Sequence, residues 1–213
     1  MTEEEAKAWL KSELHVSRET MALLDRYVAL LLEEMAVQNL IAESTRDHVW
    51  ARHIVDSAQL LPLANDAPDG TWIDLGSGAG LPAIVVAALS PRPLLMIESR
   101  RKRIDFLARV VGELNLPHAE IFGGRVESAE VAPAAVISAR AYAPLTRLLS
   151  SAHHLSGDRT IWVLPKGRNA ENELETARPT WQGVFHVERS VTDPDSAIII
   201  ARSVMPKSKK GRG

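Results

Sequence analysis

Residues 73–89 read IDLGSGAGLPAIVVAAL, and no other stretch limits the surrounding chain as tightly. A run rich in branched residues ends at Asp74 and Leu75, Gly76, Gly78 and Gly80 alternate with small residues, and an apolar helix-forming segment follows. Branched runs favour strands, and glycine reaches positive φ and lets another group approach the backbone closely. The pattern predicts a strand, a bare turn and a helix over residues 81–89, with Pro82 in its first turn, where a missing N–H costs nothing. Such a unit opens the sheet of an α/β protein, and ligands of doubly wound sheets bind beside it.

The rest of the chain fits that beginning. Strand-like runs recur as PLLMIE, AEIFGG, AAVISARA and TIWVLPKG, separated by helical patterns over 102–114, 144–155 and 169–176. Alternation of this kind builds a parallel sheet. The order breaks at the end, where only TDPD separates GVFHVERSV from SAIIIARSV, spacing that suits a hairpin and leaves no room for a crossover helix. The expected fold is α/β and Rossmann-like, a mostly parallel seven-stranded sheet closed by a C-terminal antiparallel hairpin.

Residues 1–66 read as a helical extension. Thr2 and Glu5 have the spacing of a capping box, and Ser17 can cap a second helix with Val16 and Met21 as its staple. Apolar residues then recur at Met21, Leu24, Val28, Leu31 and Met35, and a third helix is expected over 45–61, ended by Pro62. The sheet domain should occupy 67–206, and 207–213 reads as a basic tail without order.

Composition narrows the chemistry. The chain contains no cysteine, which removes disulfides, thiolate metal sites and thiol nucleophiles together and suits a reducing cytoplasm. No apolar run approaches the roughly 20 residues that cross a bilayer. A net charge of −2 confines any nucleic-acid surface to a local patch. A monomer without metal is expected.

Glu98 ends the second strand twenty residues beyond Gly78, where a carboxylate can accept both hydroxyls of a ribose. A nucleoside cofactor follows, set against the plainer reading of a glycine turn that only packs helix on strand. Dinucleotide enzymes use GxGxxG with a pyrophosphate at the helix start. Here the spacing is GxGxG, Asp74 precedes it, and Pro82 removes a donor. A cofactor without phosphates, with a cationic amino-acid end that Asp74 can help to hold, suits this turn better. S-adenosylmethionine, leaving S-adenosylhomocysteine, is the expected cofactor, with a nicotinamide oxidoreductase as the rival.

Several linked motifs then occur together: N39-L40, R52-H53-I54-V55-D56-S57, D74-L-G-S-G-A-G-L-P, E98-S, R103-I-D-F-L, R125-V-E, I137-S-A-R-A-Y-A-P-L and K166-G. In this order, from about residue 20 to 203, they resemble the bacterial ribosomal small-subunit methyltransferase G family, also called glucose-inhibited division protein B. The resemblance implies S-adenosylmethionine-dependent methylation of one guanine at N7 in 16S ribosomal RNA, with the 30S subunit or its precursor as partner. It also implies cofactor contacts at Gly76, Leu81, Val126, Glu127 and Arg140. Ala83 stands where the family has glycine, and Ile41 where it has threonine. Guanine N7 presents a lone pair in the ring plane, so alignment and a suitably charged pocket matter more than a general base. A cofactor-bound ribosome-assembly module that binds RNA without methylating it is the non-enzymatic rival.

Other residues carry expectations of their own. Arg140 ends a strand on the ligand side of the sheet and is expected to position reactants. Arg125 and Lys166 at other strand ends could grip RNA phosphate, and Tyr142 could stack on the guanine. His53 and Asp56, three apart, share a helix face and should hold the extension against the cleft. His153 and His154, the acidic N-terminal helix, and the basic runs at 100–103 and 207–210 read as solvated surface. The five tryptophans read as packing.

Overall fold

The computed structural model describes residues 1–208; of the expected basic tail, 209–213 lie outside the described residues. Helix α1 (Glu3–Glu13) starts at the expected capping box: the Thr2 hydroxyl accepts the Glu5 N–H, and the Glu5 carboxylate accepts the Thr2 N–H. Helix α2 (Arg18–Glu34) is capped by Ser17, which accepts the Thr20 N–H. Its buried stripe is Met21, Leu24, Tyr27, Leu30 and Leu31, not the expected row through Val28 and Met35. A 3.5-residue row suits a supercoiled partner helix, whereas α2 packs across helices of the sheet domain.

The third helix is not continuous. A 3₁₀ turn spans Glu43–His48, a wide π turn spans Trp50–Val55, and α3 (Asp56–Ala58) and α4 (Leu60–Leu63) complete it, so the chain remains helical one residue beyond Pro62. Glu3 explains the start. Its carboxylate accepts the N–H groups of Trp50 and Ala51 at 3.0 and 2.9 Å, giving orphan donors of the helix a partner. At this residue the acidic first helix is a structural contact and not a solvated face.

The sheet follows in chain order: β1 (Trp72–Leu75), α5 (Ala83–Leu89), β2 (Leu94–Glu98), α6 (Arg101–Glu113), β3 (Ala119–Gly123), β4 (Ala134–Ser138), α7 (Leu145–Ala152), β5 (Ser156–Gly167), α8 (Ala170–Ala177), β6 (Trp181–Arg189) and β7 (Ala197–Pro206). Helix α5 begins at Ala83, so Pro82 is its cap residue and not part of its first turn. The spatial order is β3-β2-β1-β4-β5-β7-β6; β1 to β5 are parallel, and β7 runs antiparallel to both β5 and β6.

Successive strand residues point to opposite faces. Trp72, Met96, Val136 and Val163 pack with α1, α2, α5, α6 and residues 49–64 on one face. Ile73, Leu75, Ile97, Ile137 and Trp162 pack with α7 and α8 on the other. The N-terminal extension thus shares a continuous core with the sheet. Strand order reverses between β1 and β4, and a ligand crevice is expected at their carboxyl ends.

Candidate active site

Strand β1 ends in the glycine turn. Gly76, Gly78 and Gly80 all have positive φ, at 66°, 57° and 88°. The turn is tied down through its backbone: the N–H groups of Gly76 and Ser77 both donate to the Ile97 carbonyl, and the buried Tyr27 hydroxyl donates to the Ala79 carbonyl at 2.8 Å. The three glycines differ in purpose. A Cβ at Gly80 would lie 2.5 Å from Ile84 and 3.1 Å from Leu107, so this glycine serves packing. A Cβ at Gly76 would lie 2.7 Å from the Tyr142 ring, so that ring is what its bare backbone admits.

Glu98 closes the turn from the neighbouring strand. One carboxylate oxygen accepts the N–H groups of Ser99 and Arg100, the other accepts the Gly78 N–H at 2.9 Å, and Arg103 stands 3.7 Å away. Four amides of the turn, those of Gly76, Ser77, Gly78 and Gly80, are therefore already engaged within the chain and not free for a dinucleotide pyrophosphate. Arg103, from the basic run at 100–103, faces inward; Arg101 pairs with Asp105 along its own helix.

Asp74 lies behind the turn. One oxygen accepts the Ser138 hydroxyl at 2.6 Å, and Ser138 in turn accepts the Trp72 indole N–H at 2.8 Å. The other oxygen is buried with no partner. Burial pushes this carboxyl up to about 6, against the opposing pull of the Ser138 hydroxyl. Its unsatisfied oxygen, the carboxylate of Glu98 beside a cavity, and the bare turn between them suit a nucleoside with a cationic amino-acid end.

Two cavities open at the strand tips. One, of about 350 Å³, is lined by Gly76, Glu98, Arg125, Val126, Glu127 and Arg147. The other, of about 570 Å³, is lined by Arg52, Asp56, Arg140, Lys166, Thr192 and Asp193, among others. Tyr142 lines both, its hydroxyl 3.3 Å from Ser151 and its ring over Gly76, next to Ala141 at φ 51°. Of the cofactor residues expected from sequence, Gly76, Glu98, Val126 and Glu127 come together at the first cavity, while Arg140 faces the second. Asp74, Gly78 and Leu81 line neither.

Arg140 is held from the N-terminal extension. Its Nη1 donates to His53 Nδ1 at 2.9 Å and lies 3.5 Å from Asp56. An arginine can only donate, so His53 must accept at Nδ1 and carry its proton on Nε2, which lies 2.8 Å from the Thr45 hydroxyl. Thr45 passes its own proton to the Ala42 carbonyl. Burial, then the charges of Arg140 and Arg52, hold His53 down at about 3, so it is neutral. Asp56 accepts from Gln59 and Thr192, and Gln59 also bonds Ser190 and Val191 in the β6–β7 loop. The expected hold of His53 and Asp56 on the cleft thus reaches Arg140 itself.

Lys166 has a different task from the one expected. Its side chain is only 7% exposed and its ammonium bonds the Ala143 carbonyl at 2.6 Å and Glu173 at 2.9 Å, which leaves it no phosphate-gripping position. Glu173 also accepts the Leu145 N–H, so the pair fixes the loop that carries Tyr142. Of the two histidines expected as a solvated helix end, His154 is exposed and His153 half-buried, and each ring also meets a backbone carbonyl, of Ala129 and Val204 respectively. Tyr27 and Arg147 were absent from the sequence expectations, Arg52 entered only as part of a motif, and the loop at 190–196 only as a hairpin connection. Tyr27 alone left a trace, a hydroxyl set in the apolar stripe of α2.

Among the described residues no cluster of three or more His, Asp or Glu side chains could hold a metal ion, and no helix is long and apolar enough to cross a membrane. A solved glycopeptide N-methyltransferase, MtfA in complex with S-adenosyl-L-methionine, matches 70% of this chain and 94% of its own with a TM-score of 0.57 at 9% identity, a likeness of fold alone. The ribosomal RNA small subunit methyltransferase G of Rhizorhabdus wittichii is 51% identical over 100% of this chain and 98% of its own length. That of Sphingopyxis alaskensis is 50% identical over 99% and 90%. The family model described as rRNA small subunit methyltransferase G matches residues 20–196, which span the glycine turn, Glu98, the smaller cavity and all of the larger one but Ala197 and Ile198. With engaged turn amides and this match, nothing favours the oxidoreductase alternative, and the chain belongs to the rRNA small subunit methyltransferase G family.

Proposed function

We propose that this protein transfers a methyl group from S-adenosylmethionine to N7 of a guanine in small-subunit ribosomal RNA. When bound, the cofactor supplies an electrophilic methyl on a sulfonium. Glu98 would hold its ribose, Val126 and Glu127 its base, and Asp74 with Arg140 the two charged groups of its amino-acid end. Asp74 and Glu98 need small adjustments to take these parts, since each is nearly enclosed by its own neighbours.

One observation carries the choice of acceptor atom: every group in the larger cavity that could serve as a base is already engaged. Asp56 accepts from Gln59 and Thr192, Asp193 is paired with Arg52, and Glu173 with Lys166, while His53, which does not line the cavity, accepts from Arg140. Methylation of an exocyclic amine, a ring N–H or a hydroxyl needs a proton acceptor at some stage. Guanine N7 needs none before attack, and a cavity of guanidinium donors suits a base whose Hoogsteen edge offers two acceptors.

The exposed Arg125 and Arg147 flank the smaller cavity and Arg52 borders the larger. They supply a local cationic rim for the RNA backbone on a chain whose net charge is −2. That one chain lines both cavities supports the reading of a monomer, acting in the cytoplasm where its ribosomal partner is made. The test is tritium transfer from labelled cofactor to unmodified 30S subunits and to free 16S RNA, with the modified atom mapped by mass spectrometry. Label at guanine N7 is expected. Label on another atom would overturn the acceptor assignment, and cofactor binding without transfer would favour the assembly-module reading.

A further inference from the structure

We infer that His53 is a positioning residue for Arg140: its neutral imidazole fixes one end of the guanidinium so that the other end is presented to the carboxylate of the bound amino-acid moiety. The inference rests on the assignment of Arg140 to the cofactor. Its geometric basis is the division of labour on Arg140. Both contacts that hold the side chain go to the same nitrogen, Nη1, from His53 and Asp56. Among the described residues Nε and Nη2 carry no protein hydrogen bond, and together they form the flat fork that matches a carboxylate. An arginine side chain left to itself loses rotamer freedom on being ordered. Here that ordering is done in advance by residues 84 to 87 positions away in the chain.

Histidine suits the post because it orients without neutralising. A carboxylate hydrogen-bonded at that position would cancel the charge that the ligand carboxylate needs, and would compete with it. Neutral imidazole accepts one hydrogen bond and leaves the cation intact. Its other nitrogen is committed to Thr45, which fixes the tautomer. Asp56 stands further off, at 3.5 Å, and spends its other oxygen on Gln59 and Thr192. Thr192 belongs to the β6–β7 loop, so the platform beneath Arg140 joins the extension to the far edge of the sheet.

Asparagine and glutamine separate this role from a merely structural one. Asn carries its amide oxygen near the site of Nδ1 and keeps the acceptor for Arg140; Gln reaches the site of Nε2 and keeps only the link to Thr45. Binding of S-adenosylhomocysteine is measured by calorimetry for the wild type, His53→Asn, His53→Gln and His53→Ala, with melting temperatures alongside. The Asn variant should stay within about threefold of the wild-type Kd, while Gln and Ala weaken binding about tenfold, the scale of one hydrogen bond to a charged group. In an Arg140→Ala background, His53→Gln should add nothing. Equal losses for Asn and Gln, or a full added loss without Arg140, would overturn the role of His53 and leave the cofactor assignment standing. A wild-type protein that does not bind the ligand at all would remove the assignment and this inference with it.

Discussion

The two cavities that meet at Tyr142 are built in opposite ways. The smaller is made by consecutive βα turns: the tip of β1, the tip of β2 and the residues after β3, joined by backbone hydrogen bonds and one carboxylate. The larger gathers residues 52–56, 140–144, 165–167 and 190–198, which meet only after the whole sheet has formed. The first rests on local geometry that a few glycines impose. The second rests on side-chain bonds between distant segments, Arg140 to His53, Lys166 to Glu173 and Gln59 to Val191. On the proposed reading the nucleoside of one invariant ligand rests on the first, while the second contributes Arg140 to that ligand's carboxylate and also receives the RNA.

The contrast can be broken most forcefully at the turn. Gly80→Val places a Cβ 2.5 Å from Ile84 at φ 88°, and strain plus overpacking should cost about 3 to 5 kcal/mol. Urea unfolding would measure it, and a loss below about 1 kcal/mol would mean that the turn relaxes easily and is not the foundation claimed for it. Asp74 sharpens the same side through pH. Its carboxyl is pushed up to about 6, from an ordinary 3.8, so the folded state holds the proton more tightly than the unfolded chain. That stabilisation is complete below the ordinary value and disappears as pH rises through about 6. Relative to Asp74→Asn, the wild type should gain roughly 2 to 3 kcal/mol as pH falls from about 7 to about 3.5, approaching about 1.4 kcal/mol per unit midway. A pH-independent difference between the two proteins would show that Asp74 titrates normally.

On the larger cavity, Lys166→Met strands Glu173, whose side chain is 24% exposed, and should cost about 2 kcal/mol. Adding Glu173→Leu should recover most of that loss, while S-adenosylhomocysteine binding is unchanged throughout. Weakened cofactor binding would show that the Lys166–Glu173 pair also supports the cofactor's side of the crevice. Tyr27→Phe removes the donor to the Ala79 carbonyl and should cost about 1 kcal/mol of stability, read from the urea midpoint. Arg52→Ala breaks an exposed pair with Asp193 and should change stability by no more than about 0.5 kcal/mol. It should raise KM for RNA and flatten the salt dependence; an unchanged KM would remove Arg52 from the RNA rim.

The same division decides what could be read beforehand. The strand runs, the glycine turn, Glu98 and the closing hairpin were all legible, because hydrophobic period, turn chemistry and short spacing are properties of neighbouring residues. The family resemblance placed Val126 and Glu127, which no local pattern marks. What escaped is made at long range. Nothing near Lys166 announces that Glu173 will take its charge, and nothing near Glu3 announces that its carboxylate will cap a helix 47 residues on. The α2 stripe was misread at Met35, while Val28 packs against the core only half-buried, because apolar spacing fixes which residues are greasy, and the packing partner fixes which of them face inward. Gly80 was legible as a bare position but not in its reason, since Ile84 and Leu107 fill the space a ligand was expected to use.

Strand β7 lies between β5 and β6, although it is made after both. A growing chain that has emerged only as far as β6 has β5 with an unpaired edge and lacks residues 197–198 from the wall of the larger cavity. The glycine turn, Glu98 and Val126 have all been translated by then. If the larger cavity receives the RNA as proposed, competence to do so arrives with the last strand, well after the ribosome has delivered every residue that lines the smaller cavity.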